Sequence, residues 1–225
     1  MKELFYKPLK FKGNPENFLF WGCLHNGHSC ENWENPLWKS RGFSSMEEHD
    51  QENINRWNEK ATDETIGFLA GDSCFGKNAE RNFLHLFENL KFSELYLLPG
   101  NHYAGWHQLF NLRSGNEFYL DNKIVTFVPN YIELIINGQP IVTSHYPLLS
   151  WNGQAKGSWM LFSHVHGNLE KSDIGKTYLD SGAKCYELSV EKNKHPASFS
   201  DLFSLFKDKE NISFDHHGPH TQNPF

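Results

Sequence analysis

Three short apolar runs, each closed by a glycine, organise the first half of the chain: Asn17–Gly22 (NFLFWG), Thr65–Gly71 (TIGFLAG) and Glu94–Gly100 (ELYLLPG). Runs this short and this uniformly apolar read as strands buried on both faces. Two segments of helical period separate them. Met46–Lys60 has Ser44 or Ser45 as its cap, acids in its first turn, and Ile54 and Trp57 on one stripe. Asn78–Leu90 places Phe83, Leu84, Phe87 and Leu90 at helical spacing. Alternating strands and helices of these lengths call for parallel strands joined by crossover helices.

The second half reads differently. Strands are expected over Lys123–Val128, Tyr131–Ile136 and Pro140–His145, the last two joined by Asn137-Gly138, a strong hairpin signal. Further strands are expected at Ser158–His164, Thr177–Asp180 and Cys185–Val190, and a closing helix at Ser200–Lys207, capped near Ser198 or Ser200. That pattern implies an antiparallel-rich back half. No linker divides the halves, so residues 1–210 are expected to form a single α/β (α+β-like) domain, a two-sheet β-sandwich flanked by helices, with a polar C-terminal tail over 211–225.

Charge and composition exclude several function classes. The chain has 225 residues with 21 basic and 27 acidic side chains, a net charge of −6, so no broad basic nucleic-acid patch is expected. No apolar run approaches the roughly 18 residues a membrane span needs. Lys2, Glu3, Lys7, Lys10 and Lys12 interrupt the N-terminal segment, leaving no signal-peptide h-region. Cys23, Cys30, Cys74 and Cys185 form no C-x-x-C pair. A reduced, cytoplasmic protein is the expectation.

The chemistry-bearing residues fall just past the carboxyl ends of the expected strands, where open α/β sheets place ligands. Cys23 and His25 follow the first, Asp72 the second, Asn101 and His102 the third; His145, then His164 and His166, end two later strands. The pairs Cys23-x-His25 and His164-x-His166 have i, i+2 spacing, which in extended backbone puts both side chains on one side. Imidazoles, a thiol, an amide oxygen and a carboxylate suit Zn, Fe or Mn better than Ca or Mg. Setting His102 aside, seven candidate ligands (Cys23, His25, Asp72, Asn101, His145, His164 and His166) exceed one tetrahedral site. They match two divalent transition metal ions sharing a bridging carboxylate, and Asp72 is the carboxylate in place for it. Each also has a structural reading: Cys23 as a small buried hydrophobe, Asn101 as a turn former, His28 as a surface or substrate-facing imidazole. Trp106, Trp151 and Trp159 line a substrate pocket or simply pack.

In this order, Gly71-Asp72, Gly100-Asn101-His102, Ser144-His145 and Ser163-His164-Val165-His166 resemble the calcineurin-like metallophosphoesterases, and Leu24-His25-Asn26-Gly27-His28 looks like the first motif of their small phage and bacterial members. The resemblance spans roughly residues 18–190. It implies a four-layer αββα fold and a dinuclear phosphoesterase. His25, Asp72 and His166 would hold one ion, with Cys23 at the position of the family's Asp; Asp72, Asn101, His145 and His164 would hold the other. A hydroxide between the ions would be the nucleophile. His102 matches the general acid; Asn101, His102 and His28 would face the substrate.

Three departures shape the expectation. Cys23 replaces a hard oxygen ligand with a soft thiolate, favouring Zn or Fe. Tyr103 stands where the family has Asp or Glu, and Ser163 replaces a Gly. The segment Gly71–Gly76 (GDSCFG) has no phosphate-gripping Arg, and a monoester dianion gains most from such a clamp. Small phosphodiesters, nucleotide-like ones among them, are therefore the expected substrates. A phosphomonoesterase or protein phosphatase, and a catalytically impaired binding module on the same fold, remain alternatives.

Overall fold

A computed structural model describes residues 7–28, 34–75, 79–102 and 115–212. Cys30, Tyr103, Trp106 and the tail from residue 213 onward lie outside the described residues. The strands are β1 (Leu9–Phe11), β2 (Phe18–Trp21), β3 (Ile66–Ala70), β4 (Glu94–Leu98), β5 (Glu117–Leu120), β6 (Lys123–Phe127), β7 (Tyr131–Ile136), β8 (Gln139–Ser144), β9 (Trp159–Phe162), β10 (Cys185–Glu187) and β11 (Ala197–Ser198). They form a six-stranded sheet, β11-β2-β3-β4-β6-β5, and a five-stranded sheet, β1-β7-β8-β9-β10. The described helices are α1 (Leu37–Ser40), α2 (Met46–Lys60), α3 (Ala79–Asn89), α4 (Asp173–Asp180) and α5 (Phe199–Phe206).

Alternation along the strands explains the layering. In β2, Phe18 and Phe20 join Phe68, Leu134, Ile141 and Leu161 between the two sheets. Leu19 and Trp21 point the other way, into a core with Trp57 of α2 and Phe83 and Phe87 of α3. Both faces of the central strands are thus apolar, as a doubly covered parallel sheet requires. On the outer face of the five-stranded sheet, Val142, Met160 and Phe162 meet Tyr178 and Leu179 of α4. The result is helices, sheet, sheet, helix: the expected sandwich.

The helix signals operate as written. Ser45 caps α2 by accepting from the Glu48 N–H. Ser198 and Asp201 form a reciprocal capping box at the start of α5. Removing that cap with Ser198→Ala is expected to cost about 1 kcal/mol. Thermal denaturation should show the midpoint falling by roughly 2–4 °C.

Two expectations fail. Thr177–Asp180 is not a strand but the end of α4, whose Ser172 cap accepts from the Gly175 N–H. Four residues are too few to show a helical period, so a β-branched and aromatic pair there mimics a strand. The back half is also less antiparallel than its hairpin suggests. Only β7–β8 is antiparallel in the five-stranded sheet, while β1–β7, β8–β9 and β9–β10 run parallel. The 145–158 segment and the stretch carrying α4 are long enough to serve as crossovers. Parallel pairing has a consequence for the site: β2, β3 and β4 from one sheet and β8 and β9 from the other all end at the same rim.

Candidate metal centre

The loops leaving that rim are held close by continued backbone pairing. The N–H groups of Cys23 and His25 donate to the carbonyls of Gly71 and Asp72, at 3.0 and 2.9 Å, and Ser163 N–H donates to His145 O at 3.2 Å. The side chains converge through left-handed backbone, not extended backbone. Cys23, His25, Asp72, His164 and His166 have φ of 55°, 55°, 51°, 60° and 50°. The i, i+2 pairs therefore meet because each member sits in a left-handed turn, which corrects the extended-strand argument. Such conformations cost an L-residue of order 1–2 kcal/mol each, and clusters of them mark functional sites.

All seven expected ligands come together. His25 Nε2 lies 3.3 Å from His166 Nε2 and 3.9 Å from Asp72 Oδ2. Asp72 Oδ2 lies 3.3 Å from His145 Nε2. His145 Nε2 is 2.8 Å from Asn101 Oδ1 and 3.2 Å from His164 Nδ1, and His164 Nδ1 is 3.0 Å from Asn101 Oδ1. Cys23 Sγ accepts from the His164 N–H at 3.1 Å. Asp72 thus stands midway in a continuous chain of donor atoms. Its other oxygen, Oδ1, accepts from the N–H groups of Asn101 and His102, each at 2.9 Å, leaving Oδ2 directed at the two imidazoles.

The donor chemistry fits a cation. Ligands around a tetrahedral Zn²⁺-sized ion, at 2.0–2.3 Å from it, lie about 3.3–3.8 Å apart, the separation of the two Nε2 atoms of His25 and His166. Two groups, Cys23 with His25 and His166, and Cys23 with Asp72 and His145, have ligand atoms within 4.8 Å of one another and can hold a metal ion. His145 Nδ1 sits 2.9 Å from the Ala70 carbonyl, which only accepts. Either a proton or a metal ion can then stand between Nε2 and the oxygens of Asn101 and Asp72. Buried lone pairs facing one another call for positive charge between them.

Burial pushes the pKa of His25 well below its ordinary value, reinforced by the charges of His166 and Arg41. His164 is also lowered by burial and by His145. Both are therefore neutral imidazoles, the form that binds metal. Burial opposes ionisation of Asp72, but hydrogen bonding and charge from His145, with the His102 N–H, outweigh it and hold the carboxyl below its usual range. Burial raises Cys23 to about 12, so it is a thiol while no ion is bound; a coordinating ion deprotonates it.

Around these groups lies a supporting layer that no motif announces. Glu191 accepts from His166 Nδ1 at 2.7 Å and from Arg41 Nη2 at 2.8 Å. Arg41 also donates to the carbonyls of Leu24 and Cys23, 2.8 and 2.7 Å away. His49 and Asp50 on α2 brace the same loop, Asp50 accepting from the Gly27 N–H at 2.7 Å. Burial raises the pKa of Glu191, yet the His166 hydrogen bond and the Arg41 charge bring it down to about 2. It thus orients His166 as an anionic acceptor. Glu191→Gln is expected to weaken metal binding by roughly 10–100-fold, read by competition against a chromophoric chelator.

His102 and His28 flank the ligands. The His102 ring is 5.4 Å from that of His25, and His28 stacks on Phe75 at 4.3 Å while meeting His25 edge-on at 5.8 Å. His28 is buried, so it forms the wall of the site instead of its mouth. Tyr146, half exposed and 4.6 Å from the His164 ring, stands beside the cluster and was not singled out in the sequence. Trp151 and Trp159 are core residues, so packing accounts for both. Among the described residues no helix is long and apolar enough to cross a membrane.

No protein-family model and no curated protein matches the chain. Among solved structures, that of a protein of unknown function from Aquifex aeolicus is similar in fold. It aligns with a TM-score of 0.59 at 18% identity, over 84% of this chain and 98% of the other.

Proposed function

We propose that the chain is a dinuclear metal-dependent phosphoesterase of the calcineurin-like kind, acting on small phosphodiesters. The observation that carries this reading is the position of Asp72. Its Oδ2 faces His25 and His145, 3.9 and 3.3 Å away, with further ligand candidates beyond each of them. In this reading His25, Asp72, His166 and Cys23 hold one ion, and Asp72, Asn101, His145 and His164 the other. Two divalent ions held by these residues would supply an activated water and offset charge developing on the phosphoryl oxygens.

The chain's own residues do the rest. The His102 N–H is tied to Asp72 Oδ1 at 2.9 Å, which sets its imidazole at the border of the ligand cluster as general acid for the leaving oxygen. Asn101 and His102 meet the phosphoryl group, and Tyr146 with the His164 ring walls the approach. Arg41 is committed to Leu24 O, Cys23 O, His49 and Glu191, so it does not clamp a phosphate. That favours a diester monoanion over a monoester dianion.

Metal-stripped protein reloaded separately with Mn²⁺, Zn²⁺ or Fe²⁺ should hydrolyse bis-p-nitrophenyl phosphate faster than p-nitrophenyl phosphate. His102→Ala should retain metal and lose about 100-fold or more in turnover. A metal-loaded protein silent on both substrates would overturn the enzyme reading in favour of a binding module. Faster monoester turnover would overturn the diester assignment, and an undiminished His102→Ala rate would overturn the acid role.

A further inference from the structure

We propose that the two halves of this cluster are chemically unlike, and that Cys23 makes the Cys23–His25–His166 position a thiophilic one that selects Zn²⁺ or Fe²⁺ over Mn²⁺. The Asp72–Asn101–His145–His164 position offers nitrogen and oxygen donors of its own and takes the harder ion. The inference rests on the metal-centre reading above and deepens it by assigning which ion goes where.

The surroundings of Cys23 separate it from the other described cysteines. Cys74 and Cys185 belong to hydrophobic cores, where a buried thiol behaves as a small hydrophobe. Cys23 is equally buried, but polar ligands surround its Sγ. The Sγ atom lies within 4.8 Å of ligand atoms on His25 and His166, and likewise on Asp72 and His145. A backbone N–H, that of His164, points at the sulfur from 3.1 Å, the kind of donor that steadies a bound thiolate.

The backbone is also spent on presenting this side chain. Cys23 adopts a φ of 55°, the left-handed conformation it shares with His25, Asp72, His164 and His166, and such strained residues cluster at functional sites. Its carbonyl accepts from Arg41 Nη2 at 2.7 Å, which fixes the peptide that carries the sulfur. The imidazole partners complete the set. His166 uses Nδ1 on Glu191 and turns Nε2 toward His25. One sulfur and two imidazole nitrogens are donors that suit Zn²⁺ and Fe²⁺, and soft thiolate ligands select against Mn²⁺.

Cobalt provides a readout independent of hydrolysis. Metal-free protein titrated with Co²⁺ should develop a near-ultraviolet sulfur-to-cobalt charge-transfer band during the first equivalent. The second equivalent should add only visible ligand-field absorption. Cys23→Ser and His25→Ala should each abolish the band. Dialysis against Mn²⁺ in large excess over Zn²⁺ should leave one zinc per wild-type chain. Cys23→Asp should reduce that preference on the order of 10–100-fold, with circular dichroism verifying its fold.

Cobalt bound without the band overturns the inference while leaving the metal centre and the phosphoesterase reading standing. A band that survives in Cys23→Ser arises from another cysteine and overturns it, and one that survives in His25→Ala removes His25 from the thiolate's ion and overturns the Cys23–His25–His166 assignment. Failure to bind any cobalt overturns the centre itself. Should a variant not fold, the wild-type titration alone decides whether a thiolate enters with the first ion.

Discussion

Asp72→Asn should abolish metal retention and hydrolysis together while leaving the metal-free fold intact. The carboxylate has two separate tasks. Oδ1 accepts two backbone N–H groups, from Asn101 and His102 at 2.9 Å each, and an amide oxygen can do the same. Oδ2 faces His25 and His145, and an amide nitrogen there would donate protons toward the very imidazole nitrogens that should bind metal. The substitution also removes the buried negative charge that balances the cations. In the metal-free protein the surrounding hydrogen bonds and charge hold the Asp72 carboxyl below its usual range, so the ionised form contributes stability that the amide does not. The thermal midpoint of the stripped variant at neutral pH is therefore expected to fall modestly below that of stripped wild type, with the fold retained. Metal affinity should fall about 100-fold or more at both positions, and turnover by a factor on the order of 10⁴. Elemental analysis after gel filtration, paired with diester hydrolysis, checks this. A variant holding two ions with turnover within tenfold of wild type would remove Asp72 from the bridging role.

Gly100→Ala is expected to damage both stability and the site. Gly100 has φ +79°, and a Cβ there would stand 2.1 Å from Asp72 Oδ1 and 2.5 Å from Asp72 N. Neither side can yield easily. Asn130 grips Gly100 at both ends, its Oδ1 accepting from Gly100 N at 2.7 Å and its Nδ2 donating to Gly100 O at 3.0 Å. The left-handed backbone costs alanine about 1 kcal/mol, and the overlap adds roughly 1–3 kcal/mol. A total near 3 kcal/mol lowers the thermal midpoint by about 6–12 °C in a chain of this size. Gly138→Ala supplies the comparison: its φ is +87°, but nothing lies within 4 Å of the added Cβ. It should lose only the backbone share, about 1 kcal/mol, and retain metal. Equal losses in the two variants would show that the close approach to Asp72 does not matter.

Much of the architecture was legible because its signals are local. The apolar runs at Asn17–Gly22, Thr65–Gly71 and Glu94–Gly100 became β2, β3 and β4. Capping serine, acidic first turn and the Ile54/Trp57 stripe predicted α2 over its observed span. Asn137 and Gly138, both left-handed, formed the expected hairpin. The ligand candidates were legible too, because unlike polar types at successive strand ends are rare in apolar surroundings.

Other features left no local trace. β1 and β11 are short strands whose pairing partners lie far away in the chain. Glu191 and Arg41 are ordinary surface residue types until the fold sets one between His166 and the other. The left-handed turns at Cys23, His25, Asp72, His164 and His166 depend on loop packing: Asp and His visit that region more readily than most side chains, but no residue type enters it without tertiary support.

By itself, the sequence determined the layered α/β sandwich, its central strands and helices, and the residue types that crowd the strand ends. Side-chain period, caps and turn chemistry act over a few residues, so they can be read without a partner. Tertiary structure alone decided that the second sheet runs mostly parallel, that both sheets end at one rim, and that Cys23 faces ligand atoms instead of a hydrophobic core. Those outcomes depend on which distant segments pack together, and on a summed packing energy large enough to hold five residues in strained backbone around a shared carboxylate.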